Sequence, residues 1–267
     1  MAIHPTAIVD PRAQLGQDVH IGPYAIVGSG VSLADGVVVG SHAVIKGDTR
    51  VGPNCRIHPH AVIGGDPQDL KYAGEKTALE IGEGNTFREF CTVNRGTVQG
   101  HGITTIGDHN LFMAYSHVAH DCVVGNHCVM ANSANLAGHV LIQDRVVLGG
   151  LVGVHQRTRI GRCAMVGGGG MVAQDVPPFT IAQGDRARLY GLNIVGLRRN
   201  KFDLNTVNAL KSAYRELFHH GMPLRIALEQ VREGYESVIE IQELVEFIEG
   251  STRGICRSTG TEQAQEP

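Results

Sequence analysis

Tryptophan is absent from the 267 residues, and aromatic side chains make up only 5% of them. A core of that composition rests on aliphatic and small side chains, which excludes an ordinary β-sandwich or helical bundle organised on large rings. The six cysteines, Cys55, Cys91, Cys122, Cys128, Cys163 and Cys256, contain no CxxC pair. Neither a zinc ribbon nor a disulfide framework is indicated, and reduced structural thiols are expected. Lys and Arg (23) do not outnumber Asp and Glu (26), and the formal charge is -3. That balance lacks the basic surplus that nucleic-acid binding requires. No run of 18 apolar residues occurs, and the opening MAIHPTAIVD lacks a charged stretch followed by an apolar one. Membrane insertion is therefore not expected, and a cytoplasmic location is.

Glycine, in contrast, is abundant, 35 residues or about twice the usual share. It does not recur every third position, and the many Val and Ile residues oppose low-complexity disorder, so the glycines punctuate a repetitive β architecture. The repeat has a period of six. Steps of six from Ile3 meet an apolar residue at every position to Ile63. The same step runs from Ile81 through Phe87 to Val93, and from Ile106 through Phe112, Val118 and onward to Val172. Neither a helix nor an ordinary strand has that period; a short strand plus a corner, with one inward side chain per repeat, does. Glycine often follows the inward residue, as in Ile21-Gly22 and Val51-Gly52, where relaxed φ/ψ limits would suit a corner. Four places after it comes a small or β-branched residue such as Ala7, Ala25 or Val37; Cys55, Cys91, Cys122 and Cys128 share that slot, and Cys163 lies one place before it. All five read as small core residues.

Two segments break the period, 65–80 and 97–105, and read as loops ejected from the coil, the natural places for binding. From about Asp175 the pattern stops, and Pro177 and Pro178 are expected to forbid a continuing ladder. After Lys201 the spacing turns helical: Val207, Leu210, Tyr214 and Leu217 share a face, with Asp203 as N-cap and Gly221 as stop. Further helices are expected near 223–233 and 237–249. The domains are thus a solenoid over 1–180, an exit segment and helical domain over 181–257, and a disordered tail over 258–267.

Fourteen histidines are the odd feature of a chain poor in aromatics. If three repeats make one coil, residues 18 apart stack vertically. His120 then lies over Gly138, with His139 beside it, and Gln156, flanked by His155, lies one coil further. Asn94 falls one coil before His120 once seven extra residues of the second loop are removed. A histidine here can take a proton from a hydroxyl, Asp121 can hold its tautomer, and the N–H of Gly138 can meet an oxyanion.

The hexads resemble the repeat of left-handed parallel β-helices, which implies a mainly β solenoid of triangular coils with a C-terminal α-helical domain. The motifs DLKYAGE (69–75), NRGTVQG (94–100), AHDCVVGN (119–126), NLAGHV (135–140), VHQ (154–156), AQDVPP (173–178), NIVGLRR (193–199) and STRGICR (251–257) are similar to those of the UDP-N-acetylglucosamine O-acyltransferase family, which opens lipid A biosynthesis. The resemblance implies transfer of an R-3-hydroxyacyl group from acyl carrier protein to the sugar 3-hydroxyl by a homotrimer that uses no metal and no cofactor. Carried over by position, His120 is the general base, Asp121 its support and Gly138 the oxyanion donor. Gln68, Asp69, Lys71, Asn94, His117, His139, His155, Gln156, Asn193 and Arg199 become substrate contacts. Gly168 becomes the residue whose small size admits a long acyl chain, about fourteen carbons, at ~0.8 kcal/mol per buried CH₂. The basic residues Arg198, Arg199, Lys201, Lys211 and Arg215 are a candidate surface for the acidic carrier.

Three positions depart from the family pattern: Asn94 where HRGT is common, Val195 where an acidic residue is, and Asn200 where a second arginine is. They leave open whether the acceptor is a 3-hydroxyl or a 3-amino group. Two further alternatives are a hexapeptide-repeat N-acyltransferase and a γ-type carbonic anhydrase with zinc on His117, His120 and a neighbouring histidine from another subunit. A purely structural solenoid would leave the polar column without a purpose.

Overall fold

The structure, a computed structural model, describes residues 1–219 and 221–256. From Ala2–Ile3 to Met171–Val172 the chain forms 26 short strands, and each contains one residue of the six-residue period. They wind a left-handed parallel β-helix with three faces of 9, 9 and 8 strands, the first of which two later strands, Thr180–Gln183 and Arg188–Leu192, extend to 11. Every pairing along the first 26 strands is parallel, with partners 18 residues apart over most of the length, such as Ile3↔Ile21 and His117↔Asn135. From Ile21 onward the inward residues are buried, and Ala25, Ala43, Cys55, Cys122 and Cys128 fill the small slot between them. Each successive coil covers the last, so the solenoid builds a core without any single large element. Phe87 and Phe112 stack at 4.8 Å within it.

The corners correct the expectation about glycine. Positive φ falls three places after the inward residue, on side chains such as Tyr24, His42, His60, His109 and Asp121. Glycines directly after the inward residue serve close stacking instead. A Cβ on Gly125 would lie 2.4 Å from Asp144 Oδ1, and that oxygen accepts the N–H of Asn126 at 2.8 Å. The next coil folds a polar side chain over Gly16, Gly82, Gly107 and Gly125 in this way, and lays its own backbone over Gly22 and Gly52.

The excursions are shorter than the period implied. The ladder reaches Gly65 and resumes at Ala78, then reaches Asn94 and resumes at Ile103, so the loops are 66–77 and 95–102. Prolines do not end the ladder either. Val176 bridges Ile160, Pro177 and Pro178 turn the corner, and Thr180–Gln183 pairs in parallel with Met165–Val166 before Arg188–Leu192 returns antiparallel.

Helices α1 (Ile194–Arg199), α2 (Leu204–His219), α3 (Leu224–Gly234) and α4 (Ile239–Glu249) follow. Asp203 Oδ1 accepts the N–H groups of Asn205 and Thr206 at 2.9 and 3.0 Å, the capping role expected of it. A second apolar cluster joins Cys163, Phe179 and Leu197 to α2, α3 and α4. Arg162 grips Glu243 at 2.6 Å, and Arg159 bonds both Asp175 (3.0 Å) and the Phe247 carbonyl (2.7 Å), which docks α4 on the last coil. The chain then returns to that coil, Cys256 N–H bonding the Asp175 carbonyl at 2.8 Å. The expected tail at 258–267 lies outside the described residues.

Candidate active site

On the nine-stranded face, His117, Asn135, Gly153 and Met171 form successive rungs. The turn after each strand therefore stacks His120 over Gly138 and Gly138 over Gln156. A Cβ on Gly138 would lie 2.5 Å from His120 Cε1 and 2.7 Å from Nε2, so only glycine lets the imidazole lie against this backbone. His120 Nδ1 stands 2.8 Å from Asp121 Oδ2. A carboxylate only accepts, so Nδ1 carries a proton, and in the neutral ring that leaves the lone pair on Nε2.

Asp121 is 1% exposed and adopts φ +58°. Burial raises its carboxyl, but hydrogen bonds from Thr97, His120 and His101 together outweigh burial and hold it below the usual range. His139 packs edge-on to His120 at 5.1 Å, its Nδ1 4.0 Å from Asp121 Oδ2. Burial lowers His139, against the opposing pull of Asp121. His117, 2.7 Å from Thr92 Oγ1, is lowered by burial and then by His120. Both rings are thus neutral at pH 7, and His120 alone among the three donates directly to a carboxylate.

The cluster of His120, Asp121 and His139 has metal-like spacing, with ligand atoms within 4.8 Å of one another. Zinc does not fit it. Thr97 N–H and His101 N–H approach Asp121 Oδ1, while Thr97 N–H, Thr97 Oγ1 and His120 Nδ1 approach Oδ2. No lone pair of the carboxylate is left for an ion.

Beside this pair lies an open recess of about 650 Å³. Gln68, His117, His120, Gly138, His155 and Gln156 line it, with Asn135, Met171 and Arg186 in addition, whereas His139 is not part of the lining. Counting rungs of 18 from His117 reaches Asn135 and Met171, whereas Arg186 lies beyond the last hexad and carries no such signal. Arg253, in the returning C-terminal segment, brings Nη2 to 3.2 Å from His155 Nδ1.

Other expected residues stand elsewhere. Asp69 Oδ1 caps the Lys71 N–H at 3.0 Å in the first excursion, whose base is clamped by Arg95 through Asp66 (2.6 Å) and Tyr72 (3.0 Å). Asn94 does not fall under His120: Val93 pairs with Val118, so the next residue, Asn94, stands one place short, under Ala119. It is 5% exposed and donates to the Asp66 carbonyl at 2.8 Å. Asn193 caps α1 through Gly196 N–H and donates to the Cys163 carbonyl at 2.9 Å, so both ends of its amide are engaged. Arg199 lines a separate recess of about 330 Å³ with His127, Arg145, Asn200 and Lys201. Gly168 is exposed at the corner before Met171–Val172.

Residues 175–256 match the family model described as Udp N-acetylglucosamine O-acyltransferase; Domain 2, and residues 31–65 and 103–138 match the bacterial transferase hexapeptide model. A protein of Burkholderia lata named acyl-[acyl-carrier-protein]--UDP-N-acetylglucosamine O-acyltransferase is 52% identical over 259 residues, 96% of this chain and 99% of the relative. The chain belongs to the UDP-N-acetylglucosamine O-acyltransferases. Among solved family structures, the LpxA of Acinetobacter baumannii aligns with TM-score 0.93 at 45% identity, and the UDP-N-acetylglucosamine acyltransferase of Campylobacter jejuni with 0.92 at 40%. Each alignment covers 96% of this chain and all of the other. The acyltransferase assignment thus extends over both the solenoid and the helical domain.

Proposed function

We propose that this chain transfers an R-3-hydroxyacyl group from acyl carrier protein to the 3-hydroxyl of UDP-N-acetylglucosamine, the first step of lipid A biosynthesis. The observation that carries the mechanism is the free Nε2 of His120 beside Gly138, with Nδ1 anchored on Asp121. Nε2 takes the sugar hydroxyl proton as the oxygen attacks the thioester carbonyl. The Gly138 N–H meets the oxyanion, and the imidazolium returns its proton to the departing thiol. Asp121 holds the ring and stabilises its charged form.

Gln68, His117, His139, His155 and Gln156 shape the acceptor end of the cleft in this reading, and Asn94 supports it from below. Lys71 and Arg199 meet the diphosphate, with Asp69 setting the Lys71 turn and Asn193 holding the helix that carries Arg199. The second recess lies apart from the first on one chain, so a homotrimer, in which one chain's cleft is completed by its neighbour, is the assembly proposed. Arg198, Lys201, Lys211 and Arg215 receive the carrier. No helix of the described residues is long and apolar enough to cross a membrane. The six unpaired thiols suit a reducing cytoplasm.

Gly168 is the proposed limit on acyl length. Its three glycine neighbours are explained by the fold: Gly169 has φ +69°, and a Cβ would lie 2.8 Å from Val166 Cγ1 at Gly170 and 3.0 Å from Gln183 Cγ at Gly167. At Gly168 a Cβ meets only the Gly150 carbonyl, at an ordinary 3.4 Å. The solenoid does not need glycine there, which favours a functional reason for its small size.

The test combines purified protein, 3-hydroxyacyl carrier protein and UDP-N-acetylglucosamine, with and without a chelator. Formation of the 3-O-acyl product at equal rates in both supports the reading. Absence of that product, or product only from a 3-amino sugar, contradicts it.

A further inference from the structure

The hexad pattern does not call for the second excursion. Residues 95–102 leave the solenoid and return to it for no gain in the core, yet their fold is tightly specified. Arg95 N–H bonds the Gly65 carbonyl at 3.0 Å and Gly96 N–H the Ala78 carbonyl at 3.1 Å, which pins the first arm. The Thr97 carbonyl then accepts both Gly100 N–H (3.0 Å) and Gly102 N–H (2.9 Å), closing the loop on itself. What it closes around is one carboxylate. Thr97 N–H lies 3.1 Å from each oxygen of Asp121, Thr97 Oγ1 donates to Oδ2 at 2.6 Å, and His101 N–H donates to Oδ1 at 2.9 Å. A Cβ on Gly100 would lie 2.4 Å from Asp121 Cγ, so the loop touches the carboxyl group itself. From the other side, Asp121 N–H bonds Thr104 Oγ1 at 2.8 Å, where the chain rejoins the ladder.

We propose that the excursion 95–102 is a cage for the Asp121 carboxylate, and that Thr97 is a positioning residue that fixes the His120–Asp121 pair for proton transfer. The carboxylate has four lone-pair directions, and the cage fills all but the one aimed at His120 Nδ1. Asp121 therefore cannot rotate toward solvent or toward His139, and His120 cannot trade its Nδ1 partner. Thr97 is 1% exposed and lies outside the recess lining, so its hydroxyl meets neither sugar nor acyl chain. Its effect reaches the reaction only through Asp121.

This inference rests on the reading of His120 as general base, so the experiment includes His120→Ala. Thr97→Val, Thr97→Ala and Thr97→Ser are made in the full chain and assayed for kcat, both KM values and the pH profile of kcat/KM, with thermal melting as the folding control. In Thr97→Val and Thr97→Ala, kcat falls about tenfold or more while both KM values stay within about twofold, as loss of orientation alone requires. Without the hydroxyl donor the carboxylate becomes more basic and stabilises the imidazolium further, so the acid limb moves up by about half a pH unit or more. Thr97→Ser retains kcat and the wild-type profile. Wild-type kcat and profile in the hydroxyl-free variants, a loss confined to KM, or a serine variant as impaired as valine would overturn the cage. Unfolding of both hydroxyl-free variants while serine folds would also overturn it, because the hydroxyl would then serve the fold. If His120→Ala retains turnover, the general base fails; if it does not and Thr97→Val behaves as wild type, the cage alone fails.

Discussion

His120 lies against the backbone of Gly138, so close that a single methyl on that glycine would sit 2.7 Å from Nε2. The base and the proposed oxyanion donor are thus set by one contact between adjacent coils. A Gly138→Ala change meets the end of a side chain that can swing, not the backbone, so the solenoid tolerates it and the imidazole shifts. We expect kcat to drop by ~10², the scale of a displacement of about 1 Å at a reacting group, with little change in melting temperature. Unchanged kcat in a folded Gly138→Ala protein would separate this contact from catalysis.

Acid sensitivity follows from the neutral histidines. His117 and His139 are held below the ordinary value of 6.5 in the folded chain, in both cases chiefly by burial. In the unfolded chain they titrate normally. As pH falls through 6.5, the unfolded state takes up protons that the folded state does not, so stability is complete above that pH and lost below it. The depressed Asp121 acts in the same direction further down, below its ordinary 3.8. Urea midpoints should therefore decline from pH 7.5 to 5.5 in the wild type and decline less in a His117→Gln/His139→Gln double variant. Equal slopes would place the acid sensitivity elsewhere.

Much of this was legible from the six-residue period, because a solenoid presents one inward side chain per strand and repeats it without interruption. The polar column was legible for the same reason, since 18-residue counting is the register itself. The excursion ends were not. Strands Asp48–Val51, Ala78–Ile81 and Ile103–Ile106 run four residues, and Thr49, Leu79 and Thr104, each fully buried, supply a second inward position that a period of six does not register. The glycine slot was misread because conformational freedom and close stacking leave the same residue in the sequence. Asn193 shows the converse: a motif residue can earn its place by capping a helix, and only the geometry reveals it.

Acyl length provides a prediction that distinguishes Gly168 from its neighbours. Gly168→Met should fold normally and shift preference to shorter donors, since each methylene excluded from the groove removes ~0.8 kcal/mol of binding. Ratios of kcat/KM across donor lengths that match in both proteins would remove Gly168 from the specificity residues.

The cysteines should be inert. All six are buried, and burial pushes the Cys122, Cys128 and Cys256 thiols up to about 12. Iodoacetamide at pH 8 should label none in the native protein and all six in denaturant. Rapid native labelling of any one of them would indicate local opening of its coil.

The most direct test of the account is the turnover of His120→Ala, measured with hydroxyacyl carrier protein and UDP-N-acetylglucosamine. Removing a general base lowers kcat by at least ~10², and because His120 contributes nothing to the inward core, the melting temperature should stay close to wild type. A folded His120→Ala protein that turns over at near-wild-type rates would contradict the mechanism.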